Sequence, residues 1–129
     1  MNIQKKYLTL FYKTLKETKL NLVDSRIRDE FFKDLTGKLQ DFEQARQTIF
    51  KEFCVKDENG EPKFTDKNEY QFENDKTADL TKELETLLDE EIELTVKNPD
   101  KIKEFIEKTE YQPLAGEVES IDFIINKVA

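Results

Sequence analysis

From Ile27 to Phe53 the apolar residues Ile27, Phe31, Leu35, Leu39, Phe42, Ala45, Ile49 and Phe53 step by three or four positions without a break. A stripe of that period runs along one side of an α-helix, because 3.6 residues complete a turn. Kept up for so long, it commits the chain to one helix over residues 25–54 that must bury its stripe along neighbouring helices. Asp24 or Ser25 can cap its start, each offering an oxygen to an unpaired backbone N–H. Gly37 stands inside the stretch. Glycine costs roughly 1 kcal/mol against alanine in a helix, so Gly37 is expected to mark a close crossing or a bend.

The remaining elements follow from period and punctuation. Ile3, Tyr7, Leu8, Leu10, Phe11 and Leu15 predict a helix over 2–17. At residue 55 the helical period stops, and Asn59-Gly60 is a strong signal for a tight hairpin turn with positive φ at both central residues. With Tyr70 and Phe72 alternating with polar neighbours, residues 55–73 predict a small β-hairpin region. Asn74 or Asp75 can cap a helix over 75–91 whose face is Ala78, Leu80, Leu84, Leu87 and Leu88. Ile92, Leu94 and Val96 alternate as a strand over 92–96 that would join the hairpin. Asn98-Pro99-Asp100 opens a helix over 99–109. Gln112-Pro113 opens a last helix over 113–128 with the stripe Leu114, Val118, Ile121, Ile125 and Val128. No internal repeat and no Gly-, Ser- or Pro-rich linker stands out, so residues 1–129 read as one domain. The expected fold is mainly α with a small antiparallel β-element, an α+β architecture with a long helix packed in a bundle.

Charged residues make up 39% of the chain and the mean hydropathy is −0.78, values that approach those of disordered sequences. The 11% aromatic content and the regular periods argue instead for a folded domain with a heavily solvated surface. The formal net charge of −8 is unevenly placed: +4 over residues 1–56, −9 over 57–91 and −3 over 92–129. Such a chain repels nucleic acid and anionic lipid, so neither is an expected direct partner. The concentrated acids Asp57, Glu58, Glu61, Asp79, Glu83, Asp89, Glu90 and Glu91 form a candidate face for a basic protein surface. The simpler reading is a solubilising helix surface. Arg26 and Arg28 are a candidate clamp for a carboxylate or phosphate, or alternatively the partners of nearby acids.

Catalytic chemistry is poorly supplied. There is no histidine, the commonest general base and metal ligand. Cys54, the single cysteine, ends an apolar helix face and reads as a packed residue rather than a nucleophile. Asp57, Asn59 and Gly60 fail the spacing of a calcium loop, with Gly fourth instead of sixth. No phosphate-binding glycine loop is present, since Gly37, Gly60 and Gly116 are isolated. No catalytic residue, cofactor or metal is therefore expected. Neither a secretory apolar segment nor a run of the roughly 20 apolar residues that span a bilayer is visible, which suits a cytoplasmic protein.

Three motifs occur in a recognisable order. Ser25-Arg26-Ile27-Arg28 precedes an amphipathic helix; Lys56-Asp57-Glu58-Asn59-Gly60-Glu61-Pro62 follows it; then come Tyr70-Gln71-Phe72, a Leu-rich acidic helix and an Ile/Leu/Val strand reaching Val96. Over roughly residues 20–97 this order resembles a group of uncharacterised phage and prophage proteins of Gram-positive bacteria. That group has no established activity, so the resemblance implies a phage context and maps no site residues. Two functions are expected from that context. One is a protein-binding inhibitor of a host nucleic-acid-directed defence enzyme, of the anti-CRISPR kind, acting in the host cytoplasm through the acidic face. The other is a virion, tail or assembly component whose helical stripes pack against other chains, including copies of itself.

Overall fold

The computed structural model describes residues 1–128. The chain enters its fold as a strand where the helical period predicts a helix. β1 (Asn2–Gln4) pairs antiparallel with β2 (Glu91–Glu93), with Ile3 opposite Ile92. The pairing continues past both ends: the Lys5 N–H donates to Glu90 O at 2.9 Å, and the Leu94 N–H to Met1 O at 2.8 Å. The terminal ammonium of Met1 donates to Leu94 O at 2.7 Å. Backbone bonds to a segment distant in sequence thus override a local period, as tertiary context commonly does. β2 is shorter and earlier than the expected 92–96, and its partner is the N-terminus rather than the hairpin.

A 3-10 turn at Lys5–Tyr7 leads into α1 (Leu8–Lys16), which buries Leu8, Phe11, Thr14 and Leu15. α2 (Leu22–Phe53) then runs unbroken. Its cap is Asn21, whose Oδ1 accepts the Asp24 N–H at 2.8 Å, so the helix starts earlier than a cap at Asp24 or Ser25 would place it. Phe31, Leu35 and Phe42 of the expected stripe are buried. Gly37 does not mark a close crossing: a Cβ there would meet nothing within 4 Å.

A second 3-10 turn, Asn74–Lys76, precedes α3 (Thr77–Asp89), which buries Leu80 and Leu87. α4 (Pro99–Glu107) carries Pro at its start as expected, although the Asn98 side chain makes no capping bond. α5 (Glu117–Val128) begins later than residue 113. Gly116 adopts φ +86, a left-handed conformation that an α-helix cannot include, and two reciprocal bonds span it. The Leu114 N–H donates to Glu117 Oε1 at 2.7 Å, and the Glu117 N–H to Leu114 O at 3.0 Å. This start turns Ile124 and Val128 into the core, leaves Ile121 and Ile125 half-buried, and exposes Leu114 (70%) and Val118 (54%) of the expected stripe.

The described residues divide into two compact units where the sequence reads as one domain. The first holds Met1–Gln40 and the chain from Glu90 onward. Its core gathers Ile3, Phe11, Leu15, Phe31 and Leu35 with Leu94, Ile102, Phe105, Ile106 and Ile124. The Phe11 and Phe31 rings lie 5.2 Å apart, which seats α1 on α2. The second unit, Asp41–Asp89, buries only Phe42, Cys54, Leu80 and Leu87 among its described apolar side chains.

Candidate functional site

Between α2 and α3 in the chain, residues 54–72 form three short extended segments, each bonded to the other two. The Lys63 N–H donates to Val55 O (2.8 Å), the Gln71 N–H to Lys63 O (3.0 Å), and the Val55 N–H to Gln71 O (2.8 Å). Antiparallel bridges Lys56–Pro62, Phe64–Tyr70 and Cys54–Phe72 complete the ring. The hairpin region is therefore a closed three-way arrangement rather than one hairpin, and the three linked residues stand eight positions apart. Asp57-Glu58-Asn59-Gly60-Glu61-Pro62-Lys63-Phe64 aligns with Thr65-Asp66-Lys67-Asn68-Glu69-Tyr70-Gln71-Phe72. Sequence reasoning misses this repeat because only Glu61/Glu69 and Phe64/Phe72 are identical between the copies.

Both copies form the same loop. The Gly60 N–H donates to Asp57 O (3.1 Å) and the Asp57 N–H to Glu61 O (2.8 Å); in the second copy Asn68 donates to Thr65 O (2.9 Å) and Thr65 to Glu69 O (2.7 Å). Gly60 (φ 78) and Asn68 (φ 64) take the left-handed position, while Asn59 does not. The turn is thus of the type I family with a left-handed residue after it, not the type I′ turn that Asn59-Gly60 signals. Asp57 supplies the reason: its Oδ1 accepts the N–H groups of Asn59 (2.8 Å) and Glu61 (3.0 Å), an Asx turn that fixes the loop.

An aromatic column rises from α2 through this element. The Phe50 and Tyr70 rings are 5.8 Å apart, Phe50 and Phe72 5.9 Å, and Tyr70 and Phe64 5.0 Å. The Tyr70 hydroxyl donates to Gln47 Oε1 at 2.9 Å, and the Arg46 guanidinium lies 5.5 Å over Phe50. Phe64 ends the column and stays 50% exposed. Cys54 is buried beneath, with Sγ 3.3 Å from Lys51 O, which is the packed role expected of it.

The expected acidic face is only partly continuous. Asp57 is engaged by its own loop, while Glu58, Glu61, Asp79 and Glu83 are exposed and, among the described residues, have no ion-pair partner. Asp79 and Glu83 stand one turn apart on α3. Asp89 ends that helix, whereas Glu90 and Glu91 belong to the other unit, where Glu90 pairs with Lys5 at 2.7 Å. The Asp41–Asp89 unit carries 14 acidic against 7 basic side chains, a net charge of −7, leaving −1 for the other unit.

Arg26 and Arg28 do not form a clamp. Two positions apart, they point about 200° away from each other around α2. Arg28 Nη1 donates to Thr18 O (2.7 Å) and Leu15 O (3.1 Å), closing the carbonyl end of α1, and its Nε lies 3.8 Å from Asp29. Arg26 is exposed.

Two clefts open on the unit that contains both chain ends. One, of about 380 Å³, is lined by Ile27, Phe31, Asp34, Lys97 and Ile102 among others. Its polar groups already satisfy one another: Glu30 pairs with Lys97 at 3.1 Å, and Asp34 accepts the Thr95 N–H at 2.8 Å. The Lys97 hydrogen bond, helped by Lys33, holds the Glu30 carboxyl below the usual glutamate range. The other, of about 410 Å³, is lined by Tyr7, Leu10, Lys13 and Glu117 among others. The Leu114 N–H and the Tyr111 hydroxyl lower the Glu117 carboxyl, and the same bond to Glu117 raises the Tyr111 phenol. Among the described residues no three Cys, Asp or Glu side chains converge as a metal site, and no helix is long and apolar enough to cross a membrane. No protein-family model matches the chain, and neither a curated protein nor a solved structure is significantly similar to it.

Proposed function

We propose that this protein is a non-catalytic binder that engages a basic protein surface through its Asp41–Asp89 unit, as a phage-type inhibitor of a host nucleic-acid-directed enzyme would. One observation carries this reading: the negative charge is concentrated on this unit, and its Glu58, Glu61, Asp79 and Glu83 are exposed and have no ion-pair partner among the described residues. Of the ion pairs between specific side chains, Arg46–Glu43 at 3.7 Å lies in that unit, while Lys5–Glu90, Lys97–Glu30 and Lys108–Glu104 tie down the other. Unpaired carboxylates project a field that steers a basic partner and imitates the charge of a phosphate backbone.

The test combines Glu58→Gln, Glu61→Gln, Asp79→Asn and Glu83→Gln in one variant. Affinity capture from host lysate, followed by mass spectrometry, should yield a nucleic-acid enzyme with the wild type and lose it with the variant. Capture should weaken steeply with salt, and added DNA should displace the protein. An enzyme retained equally by the variant would remove the mimicry reading. The alternative, a virion or assembly component, is favoured by exposed Leu114 and Val118 on the α5 side of the other unit. Val118→Glu should then disrupt a self-association visible by light scattering; a wild type that is monomeric and absent from purified virions would count against it.

A further inference from the structure

The eight-residue repeat sets a contrast between two phenylalanines. Phe72 packs on Phe50 and is half-buried, whereas its counterpart Phe64 caps the aromatic column with half of its surface open. The Tyr70 ring lies against Phe64 at 5.0 Å and 37°. The column therefore has two ends, and an arginine, Arg46, already stacks near the inner one over Phe50. Among the described residues the outer end has no such partner.

Two further features narrow what could occupy it. The ring of bonds through Val55, Lys63 and Gln71 closes the three segments on one another, so a partner cannot simply add a strand there and must be recognised through side chains. The surrounding charge is also one-sided. Residues 57–75 hold seven acidic side chains against Lys63 and Lys67. Asp66 and Glu69, in the loop that follows Phe64 directly, are exposed. An aromatic face among carboxylates fits a guanidinium better than an ammonium: the planar cation stacks on the ring while its N–H groups fork onto a carboxylate.

We infer that Phe64 is the anchor of a docking surface for an arginine-bearing segment of a basic protein. This rests on the acidic-face reading above and adds to it a position and a residue preference. Arginine stacks over Phe64, carboxylates of the adjoining loops pair with the same side chain, and the field of the unit supplies the attraction at longer range.

The experiment uses the full chain, with fluorescently labelled oligo-arginine and oligo-lysine peptides of equal length as probes, at low and at physiological ionic strength. The wild type should bind oligo-arginine more tightly than oligo-lysine. Phe64→Leu, which keeps apolar bulk without a π face, should weaken oligo-arginine binding about fivefold and leave oligo-lysine nearly unchanged, while Phe64→Tyr should keep both. Circular dichroism confirms that each variant is folded, and Phe64→Tyr is retained as the measure if Phe64→Leu is not. Arginine binding that Phe64→Leu leaves untouched, or that Phe64→Tyr abolishes in a folded protein, would overturn the anchor and leave the acidic face standing. A wild type that binds neither peptide at low ionic strength would overturn both.

Discussion

Replacing Arg28 by methionine tests how the carbonyl end of α1 is held. Arg28 Nη1 reaches Thr18 O at 2.7 Å and Leu15 O at 3.1 Å with a side chain only 18% exposed. Leu15 O keeps a second donor, the Thr18 N–H at 3.3 Å, so the variant mainly strands Thr18 O. A hydrogen bond from a charged donor contributes about 1.5–3 kcal/mol net, and a cation at a helix C-terminus about 0.3–1 kcal/mol. Methionine preserves most of the stem packing over Phe32, where the guanidinium sits 5.7 Å from the ring. The expected loss is about 2–3 kcal/mol, or roughly 6–12 °C in Tm for a chain of this size. Urea denaturation monitored by circular dichroism measures it. Arg26→Met, at an exposed position, should change stability by less than about 0.5 kcal/mol. Equal losses in the two variants would refute the capping argument. So would a phosphate-dependent rise in stability that disappears with Arg26→Met, because a ligand clamp stabilises by mass action whereas a cap does not.

Gly37→Ala should stabilise the protein by about 0.5–1 kcal/mol in the same assay, since the position is helical and open. Gly60→Ala should destabilise by about 1 kcal/mol because φ there is +78; Asn68→Gly, at φ 64 in the second loop, should be neutral or slightly stabilising, and a reversed order would remove the equivalence of the two loops. Acid should weaken the unit that contains the chain ends. Lys108 on Glu104, Lys97 on Glu30 and the Leu114 N–H on Glu117 lower these carboxyls, so their stabilisation is full above the ordinary glutamate range and disappears as pH falls through the lowered values. Glu104→Gln should flatten the acid limb of a stability–pH curve, and an unchanged limb would contradict the assignment.

α2 is legible because its period is long, uninterrupted and locally encoded; burial of Phe31, Leu35 and Phe42 needs no knowledge of the rest of the chain. β1 is not, because Ile3 fits a helical period as well as a strand, and the deciding partner, Ile92, lies near the other end of the sequence. α5 fails in a more specific way. Its strict spacing favours Leu114 and Val118, but left-handed Gly116 sets the start, and the start decides that Ile124 faces inward. The turn at Asn59-Gly60 is visible as a turn, while its type depends on the Asp57 carboxylate, two bonds that no dipeptide rule contains. At the candidate site the acids are legible one by one. What separates Glu58, Glu61, Asp79 and Glu83, without an ion-pair partner among the described residues, from the Lys5-bound Glu90 is the strand pairing that sequence reasoning misses.

That separation bears on why the acids are there. A unit with four buried apolar residues and a net charge of −7 has little hydrophobic burial to set against its own repulsion. Local pairing could relieve it, as Glu104 is relieved by Lys101 and Lys108, yet Glu58, Glu61, Asp79 and Glu83 are left without partners among the described residues. Anything positive that binds only the folded unit therefore gains twice, by its own contacts and by relieving this repulsion. The physical consequence is linkage: salt should raise the stability of the free unit while lowering its affinity for a basic partner. A surface meant only to stay solvated would give the first dependence without the second, which makes the pair of salt dependences a sharper discriminator than either alone.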